Sequence, residues 1–306
     1  MNIEVNRINK GICGDPEKFA IQTNEIFMYH LMEIARKIAA NIENRPVILL
    51  SGPSGSGKTT TAFMLSKLLG ELGCGCHTIS MDNYFNSLTA EEKILLSKGT
   101  IDLESPDRID KELLNKQIEE IEDCRPVELP KYDFTNSARS AETVHFERKH
   151  GDVVIFEGIH ALNPDVITVP ENKLYKIYVS VRTRVTKEGL VLNPAKIRLL
   201  RRMIRDRSFR KRSLEDTLGM FESVQAGENK YIMPYKTRSD YDIDTFFAYE
   251  MSVYRYNLLD DLRLMQTSPE LADVIEILSA LAPLDNELVP RDSLIREFIG
   301  KGEFKY

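Results

Sequence analysis

The sequence predicts an α/β fold, a parallel sheet layered between helices. Three observations predict it. Val47-Ile48-Leu49-Leu50-Ser51, Asp152-Val153-Val154-Ile155-Phe156 and Leu174 to Val181 are short apolar runs of the kind that strands show when both faces are buried. Segments with helical spacing alternate with them. A glycine-rich loop joins the first run directly to a helix, which is the order a parallel sheet with crossover helices requires.

Each element can be justified in turn. Phe27, Leu31, Ile34, Ala35, Ile38 and Ile42 form one apolar stripe on a helix, which Asn44-Arg45-Pro46 should end. Val47 to Ser51 is the first strand, and Thr60 to Leu72 continues as a helix after the glycine loop. Cys76 to Ser80 reads as the second strand and delivers Asp82 just past its end. Thr89-Ala90-Glu91-Glu92 fits a capping box, so a helix starts there. Another should run from about Asp110 to Glu122. Pro126 to Pro130 and Thr143 to Phe146 read as a hairpin outside the main sheet. The Val153 strand ends at Glu157, and Leu174 to Val181 is a further strand. Beyond about Phe246 the pattern is helical to the end, with breaks at Pro283 and Pro290. We therefore expect an N-terminal helical extension over 1–45, a catalytic domain over 46–250 and a C-terminal helical segment over 251–306 packed on it.

Bulk properties exclude several classes. The 306 residues carry a net charge of −6, which argues against a protein whose main task is holding nucleic acid. No run approaches the ~18 apolar residues that a membrane helix needs. The N-terminal residues lack a secretory pattern, so the chain reads as cytoplasmic. Cys13, Cys74, Cys76 and Cys124 lack the spacing of a metal knuckle and read as free thiols.

The chemistry begins at Gly52-Pro53-Ser54-Gly55-Ser56-Gly57-Lys58-Thr59, a full G-x-x-x-x-G-K-[ST] match between a strand and a helix. Glycines let successive N–H groups converge on phosphate oxygens, and the helix start adds its positive end. Gly52, Ser54, Gly55, Ser56, Gly57 and Thr60 would shape this P-loop. Lys58 would reach the β- and γ-phosphates, and Thr59 would help to hold Mg²⁺. Asp82 and Glu157 stand past strand ends, where open parallel sheets place their ligands; Glu157 has the Walker-B position.

A basic stretch follows Asn193-Pro194. On a helix, Ile197, Leu200 and Ile204 share one face while Arg198, Arg202 and Arg205 share another. With a P-loop present, this reads as a lid over about 194–215 that brings Arg205, Arg210 and Arg212 to the transferring phosphoryl group and excludes water. Arg202 is expected to reach the acceptor.

Together with the P-loop, four groups of residues in the same order resemble the uridine kinase and phosphoribulokinase family, its bacterial uridine-kinase-like branch in particular. They are Met81-Asp82-Asn83-Tyr84-Phe85, Ser105-Pro106-Asp107 with Asp110, Pro130-Lys131-Tyr132-Asp133-Phe134 with Arg139, and Phe156-Glu157-Gly158-Ile159. The basic stretch from Arg201 to Arg212 completes the set. The resemblance spans roughly 46 to 250 and implies a P-loop NTPase fold of the nucleoside-kinase kind, with ATP and Mg²⁺, a small-molecule acceptor and a homo-oligomer. It implies that Asp82 is the general base and touches the Mg²⁺ water shell, with Glu157 holding the metal through water. Tyr84, Phe85 and Tyr132 would line the acceptor pocket, with Arg139 a further candidate. Pyrimidine nucleoside kinases of this family usually carry a base-reading histidine where this chain has Ser137, which is shorter and never cationic. Tyr84-Phe85 also reverses the usual Phe-Tyr order. The expected reaction is transfer to the 5′-hydroxyl of uridine or cytidine. The alternatives are another small alcohol such as a sugar, sugar phosphate or polyol, and an ATP-sensing module without transfer. His160, two residues past Gly158, reads as structural rather than as an acceptor contact.

Overall fold

The computed structural model describes residues 1–97, 101–265 and 268–305. The chain opens with β1 (Asn2–Glu4), α1 (Val5–Gly14) and α2 (Pro16–Ala39). Pro16 suits the first turn of α2, and the Asp15 carboxylate caps it by accepting from the Lys18 N–H at 3.0 Å. The helix ends at Ala39, before the proline break, and Ile42 lies in the turns that follow. Asn44 donates to the Asn41 side chain at 2.7 Å, so short amides compete with helix continuation five residues before Pro46 can act.

The central sheet contains β2 (Val47–Ser51), β3 (Cys76–Ser80), β6 (Val153–Glu157), β7 (Leu174–Ser180) and β10 (Tyr241–Asp244) in the order β10-β7-β2-β6-β3, all parallel. Between β3 and β6 lie α4 (Ala90–Ser97), α5 (Lys111–Glu122) and the antiparallel hairpin β4 (Val127–Asp133) and β5 (Ala138–Phe146), which stands apart from the sheet. Its strands run longer than their apolar runs, so Tyr132 and Arg139 face each other inside it. The Thr89 capping box forms as expected, with Thr89 and Glu92 each taking the other's N–H.

Alternation along the strands divides the core. Ile48, Leu50, Ile155, Ile177 and Val179 join one cluster; Val47, Leu49, Val154, Phe156 and Tyr178 join the other. The first cluster also takes in Val5, Ile8, Leu31 and Ile38 from the N-terminal helices and Leu294, Ile295 and Phe298 near the C-terminus. Four strands had no clear signal in the sequence. β8 (Arg184–Lys187) and β9 (Leu190–Leu192) form a small sheet with β1, and β10 is the edge strand ahead of Phe246. All four are short, and β1 and β8 meet only through distant pairing.

After β9 come α6 (Pro194–Arg210), α7 (Leu214–Gly219) and α8 (Phe221–Tyr231); after β10 come α9 (Glu250–Leu264), α10 (Ala272–Ala280) and the short α11 (Arg296–Ile299). The P-loop follows β2, the central strand. The strands beside β2 on one side, β6 and then β3, deliver Glu157 and Asp82 to the same end of the sheet.

Candidate active site

The shape of the glycine loop follows from where its carbonyls go. Ser54 O accepts from Arg198 (3.1 Å), Gly55 O from Arg201 (3.1 Å) and Ser56 O from the Thr245 hydroxyl (2.7 Å). Buried carbonyls must be paired, and pairing these on the outside leaves the N–H side of the loop for an anion. Gly57 has φ 85° and starts α3 (Lys58–Glu71), which sets the start of that helix directly behind the glycine loop. A Cβ on Gly52 would come within 2.0 Å of the Val179 carbonyl oxygen, which is why the loop can lie against β7 only without a side chain there.

The loop opens onto a cavity of about 280 Å³ that brings Lys58, Thr59, Asp82, Glu157, Arg205 and Arg210 together. Ser80, at the end of β3, caps the turn holding Asp82 and hydrogen-bonds to Glu157. The Thr59 hydroxyl lies 3.5 Å from Glu157 Oε1. Burial pushes the Glu157 carboxyl up to about 7, against the pull of Lys58 and with a further push from Asp82. Asp82 is raised for the same first reason, with Lys58 and Arg108 opposing.

The residues fit ATP and Mg²⁺. A Cβ at Gly57 would meet the Leu294 side chain at 2.7 Å, so the loop holds its tight turn against the C-terminal segment only with glycine there. The buried Ser56 hydroxyl has no hydrogen-bond partner among the described residues. One hydroxyl and one buried carboxylate suit an ion that takes few protein ligands and completes its shell with phosphate and water.

The basic helix α6 departs from the expected face-sharing lid. Arg198 is buried and its Nη2 donates to both carboxylate oxygens of Glu228 of α8 at 2.7 Å, while Arg201 is fully buried against Glu250 of α9 at 2.9 Å. These arginines face neighbouring acids that lie far along the chain, so the helix is packed into the molecule rather than held off it. Arg202 bonds the Ser54 hydroxyl and stands over the P-loop, not in an acceptor pocket. Its Nε is buried without a hydrogen-bond partner among the described residues, and burial with Arg205 nearby lowers its pKa to about 10. Arg205, Arg210 and Arg212 share one buried carboxylate, Asp206, at 3.2–3.3 Å. Three cations against one acid leave a surplus of positive charge. Arg205 and Arg210 line the cavity; Arg212 does not.

The other predicted residues divide. Phe85 lines the cavity, with Tyr132 edge-on to it at 5.6 Å. Tyr84 does not: it is fully buried and its hydroxyl donates to Gln117 at 2.7 Å. Arg139 pairs with Asp110 at 2.9 Å and reaches the Tyr84 and Phe85 carbonyls, so it buttresses that turn. Ser137 sits at φ 50° in the hairpin turn, its carbonyl accepting from Leu88. Thr60 is buried and its hydroxyl donates to Glu297, which itself lines the cavity. His160 is buried behind Tyr231, and burial lowers its pKa to about 4.

Three residues were missed by sequence reasoning. Glu104 lines the cavity beside Asp82 with a raised pKa, mainly from burial. It directly precedes Ser105-Pro106-Asp107, a signal that was there to use. Arg108 lies over the Phe85 ring at 4.7 Å and makes no ion pair among the described residues. Glu297 enters the cavity from the far end of the chain and left no signal.

The profile of the Phosphoribulokinase / Uridine kinase family matches residues 47–250. A uridine kinase of Staphylococcus haemolyticus is 33% identical over 201 residues, 64% of this chain and 86% of that one. A uridine kinase of Borrelia hermsii is 34% identical over 195 residues, 63% and 84%. Among solved structures, YFH7 from Saccharomyces cerevisiae superposes with a TM-score of 0.51 at 10% identity, over 71% of this chain and 98% of that one, a likeness of fold.

Proposed function

We propose that this chain, which belongs to the phosphoribulokinase and uridine kinase family and is a phosphotransferase with an alcohol acceptor, moves the γ-phosphoryl group of ATP to the 5′-hydroxyl of a pyrimidine nucleoside. One observation carries the reading: the P-loop, Asp82, Glu157, Lys58 and two arginines line one cavity. In this mechanism the loop amides and Lys58 hold the phosphates in place. Arg205 and Arg210 face the charge that spreads over the phosphoryl oxygens in transfer, and the surplus positive charge around Asp206 suits them to it. Thr59 and Glu157 would hold Mg²⁺, which when bound screens the phosphate oxygens. Asp82, made more basic by burial, takes the proton from the attacking hydroxyl. Glu104 and Phe85 border the space where that hydroxyl must enter, and Glu104 offers a carboxylate to neighbouring hydroxyls of the acceptor.

The nucleoside rests on the curated relatives, both uridine kinases. Arg108 favours a second reading, an alcohol that carries a phosphate or carboxylate. Its Nε is buried without a hydrogen-bond partner among the described residues, while Nη1 donates to the Leu103 carbonyl and Nη2 to the Tyr132 hydroxyl, both at 3.4 Å. A guanidinium so placed beside Asp82 is suited to an anion. ADP release measured with uridine, cytidine, sugars, sugar phosphates and hydroxy acids separates the two: turnover confined to the anionic alcohols would remove the nucleoside reading. Asp82→Asn tests the mechanism with whichever acceptor works. Turnover should fall ~10²–10⁴-fold with ATP binding retained; full turnover in a folded variant would remove Asp82 as the base.

A further inference from the structure

The C-terminal residues beyond 290 lie outside the family-matched range, yet they close over the start of α3. Leu294 sits against Gly57, Glu297 accepts from the Thr60 hydroxyl, and Glu303 pairs with Lys67 at 2.9 Å. Phe304 stacks on Phe63 of α3, with ring centroids 5.9 Å apart and planes at 25°. Between this segment, α3 and the end of α6 lies a second cavity, of about 620 Å³. It shares Thr59, Arg205, Arg210 and Glu297 with the first, so the two are parts of one cleft.

The ends of that cleft differ in chemistry. One end has Asp82, Glu104 and Phe85, where an acceptor must present its hydroxyl. The other is walled by Phe63, Phe209 and Phe304, with Phe209 left 56% exposed. A triphosphate with its γ end at Lys58 runs its α end toward the helix start, away from Asp82. Whatever the α-phosphate carries therefore enters the aromatic cavity.

We infer that this cavity takes the base of the donor nucleotide, with Phe209 and Phe304 as its stacking surfaces, so that the C-terminal segment is part of the donor site. The inference rests on the kinase reading above. Aromatic stacking holds any base by its face and suits a pocket walled by phenyl rings.

Equilibrium binding of Mg-ATP and of Mg-tripolyphosphate, which has the three phosphates without a base, tests it on the full chain. Phe304→Ala and Phe209→Ala should each weaken ATP about ten-fold or more and leave tripolyphosphate unchanged, and Phe304→Tyr should restore ATP. Because Phe209 is exposed, its variant keeps the test sound if Phe304→Ala melts early. Unchanged ATP affinity in the Phe209→Ala variant would overturn the inference. So would equal losses for both ligands, which would make the segment only a support for the loop. Wild-type protein that binds the two ligands equally would overturn the base pocket and leave the kinase reading standing; binding of neither would remove both.

Discussion

Glu157 shows how a single buried carboxylate sets two pH dependences at once. Its carboxyl is pushed up to about 7 by burial, above the usual carboxylate range. A raised acid stabilises the folded, ligand-free protein below its ordinary pKa, and that contribution is lost as pH rises through about 7. Glu157→Gln should therefore raise the stability of the free protein at pH 8 by roughly 1–3 kcal/mol, with little change near pH 4. Metal holding runs the other way, since the ion needs the carboxylate. Apparent Mg²⁺ affinity should rise with pH and level off above about 7, and a flat profile by Mg²⁺ titration would remove Glu157 from the metal. At this scale the sequence was most informative where chemistry dictates the backbone. Gly52 and Gly57 could be read because no other residue fits their places. Arg139 and Arg202 point elsewhere than expected because side-chain direction depends on partners such as Asp110 and Ser54 that only the fold brings to them.

At the scale of elements, α6 carries the clearest lesson. Its periodicity correctly separated Ile197, Leu200 and Ile204 from the arginines. Periodicity cannot say what lies against a polar face, and here α8 and α9 place Glu228 and Glu250 there. The helix thus works from behind the P-loop, as its carbonyl support, while its C-terminal arginines reach the front. Removing one partner of a buried pair costs ~3–5 kcal/mol, and replacing both with apolar groups can be neutral. Arg201→Met should accordingly lower the melting temperature sharply. Adding Glu250→Met should recover stability but not ATP affinity, because the Gly55 carbonyl still lacks its donor. Full recovery of both would make Arg201 a packing residue only. The hairpin was legible as a separate element because two short β-like runs, Pro126 to Pro130 and Thr143 to Phe146, stand out between the helix α5 and the Val153 strand, whereas β1, β8, β9 and β10 are too short to leave a period.

For the whole molecule, the three segments read from the sequence share one core. Phe27 of α2 packs on Phe247 with centroids 5.0 Å apart, and Val5, Ile8, Leu31, Ala35 and Ile38 are all buried in the same cluster. Burying each large apolar side chain is worth about 1.5–3 kcal/mol, against a total stability of about 5–15 kcal/mol for a typical domain. A fragment beginning at residue 46 should fail to fold, and a fragment with a wild-type melting curve would refute this. The outward carbonyls of the glycine loop also have a consequence for synthesis. The loop leaves the ribosome well before Arg198, Arg201 and Thr245, so its carbonyls first face water and its amides have no fixed direction. The nascent chain should gain the ability to retain immobilised nucleotide only once translation has passed Thr245; capture of chains stalled earlier would show that the loop shapes itself.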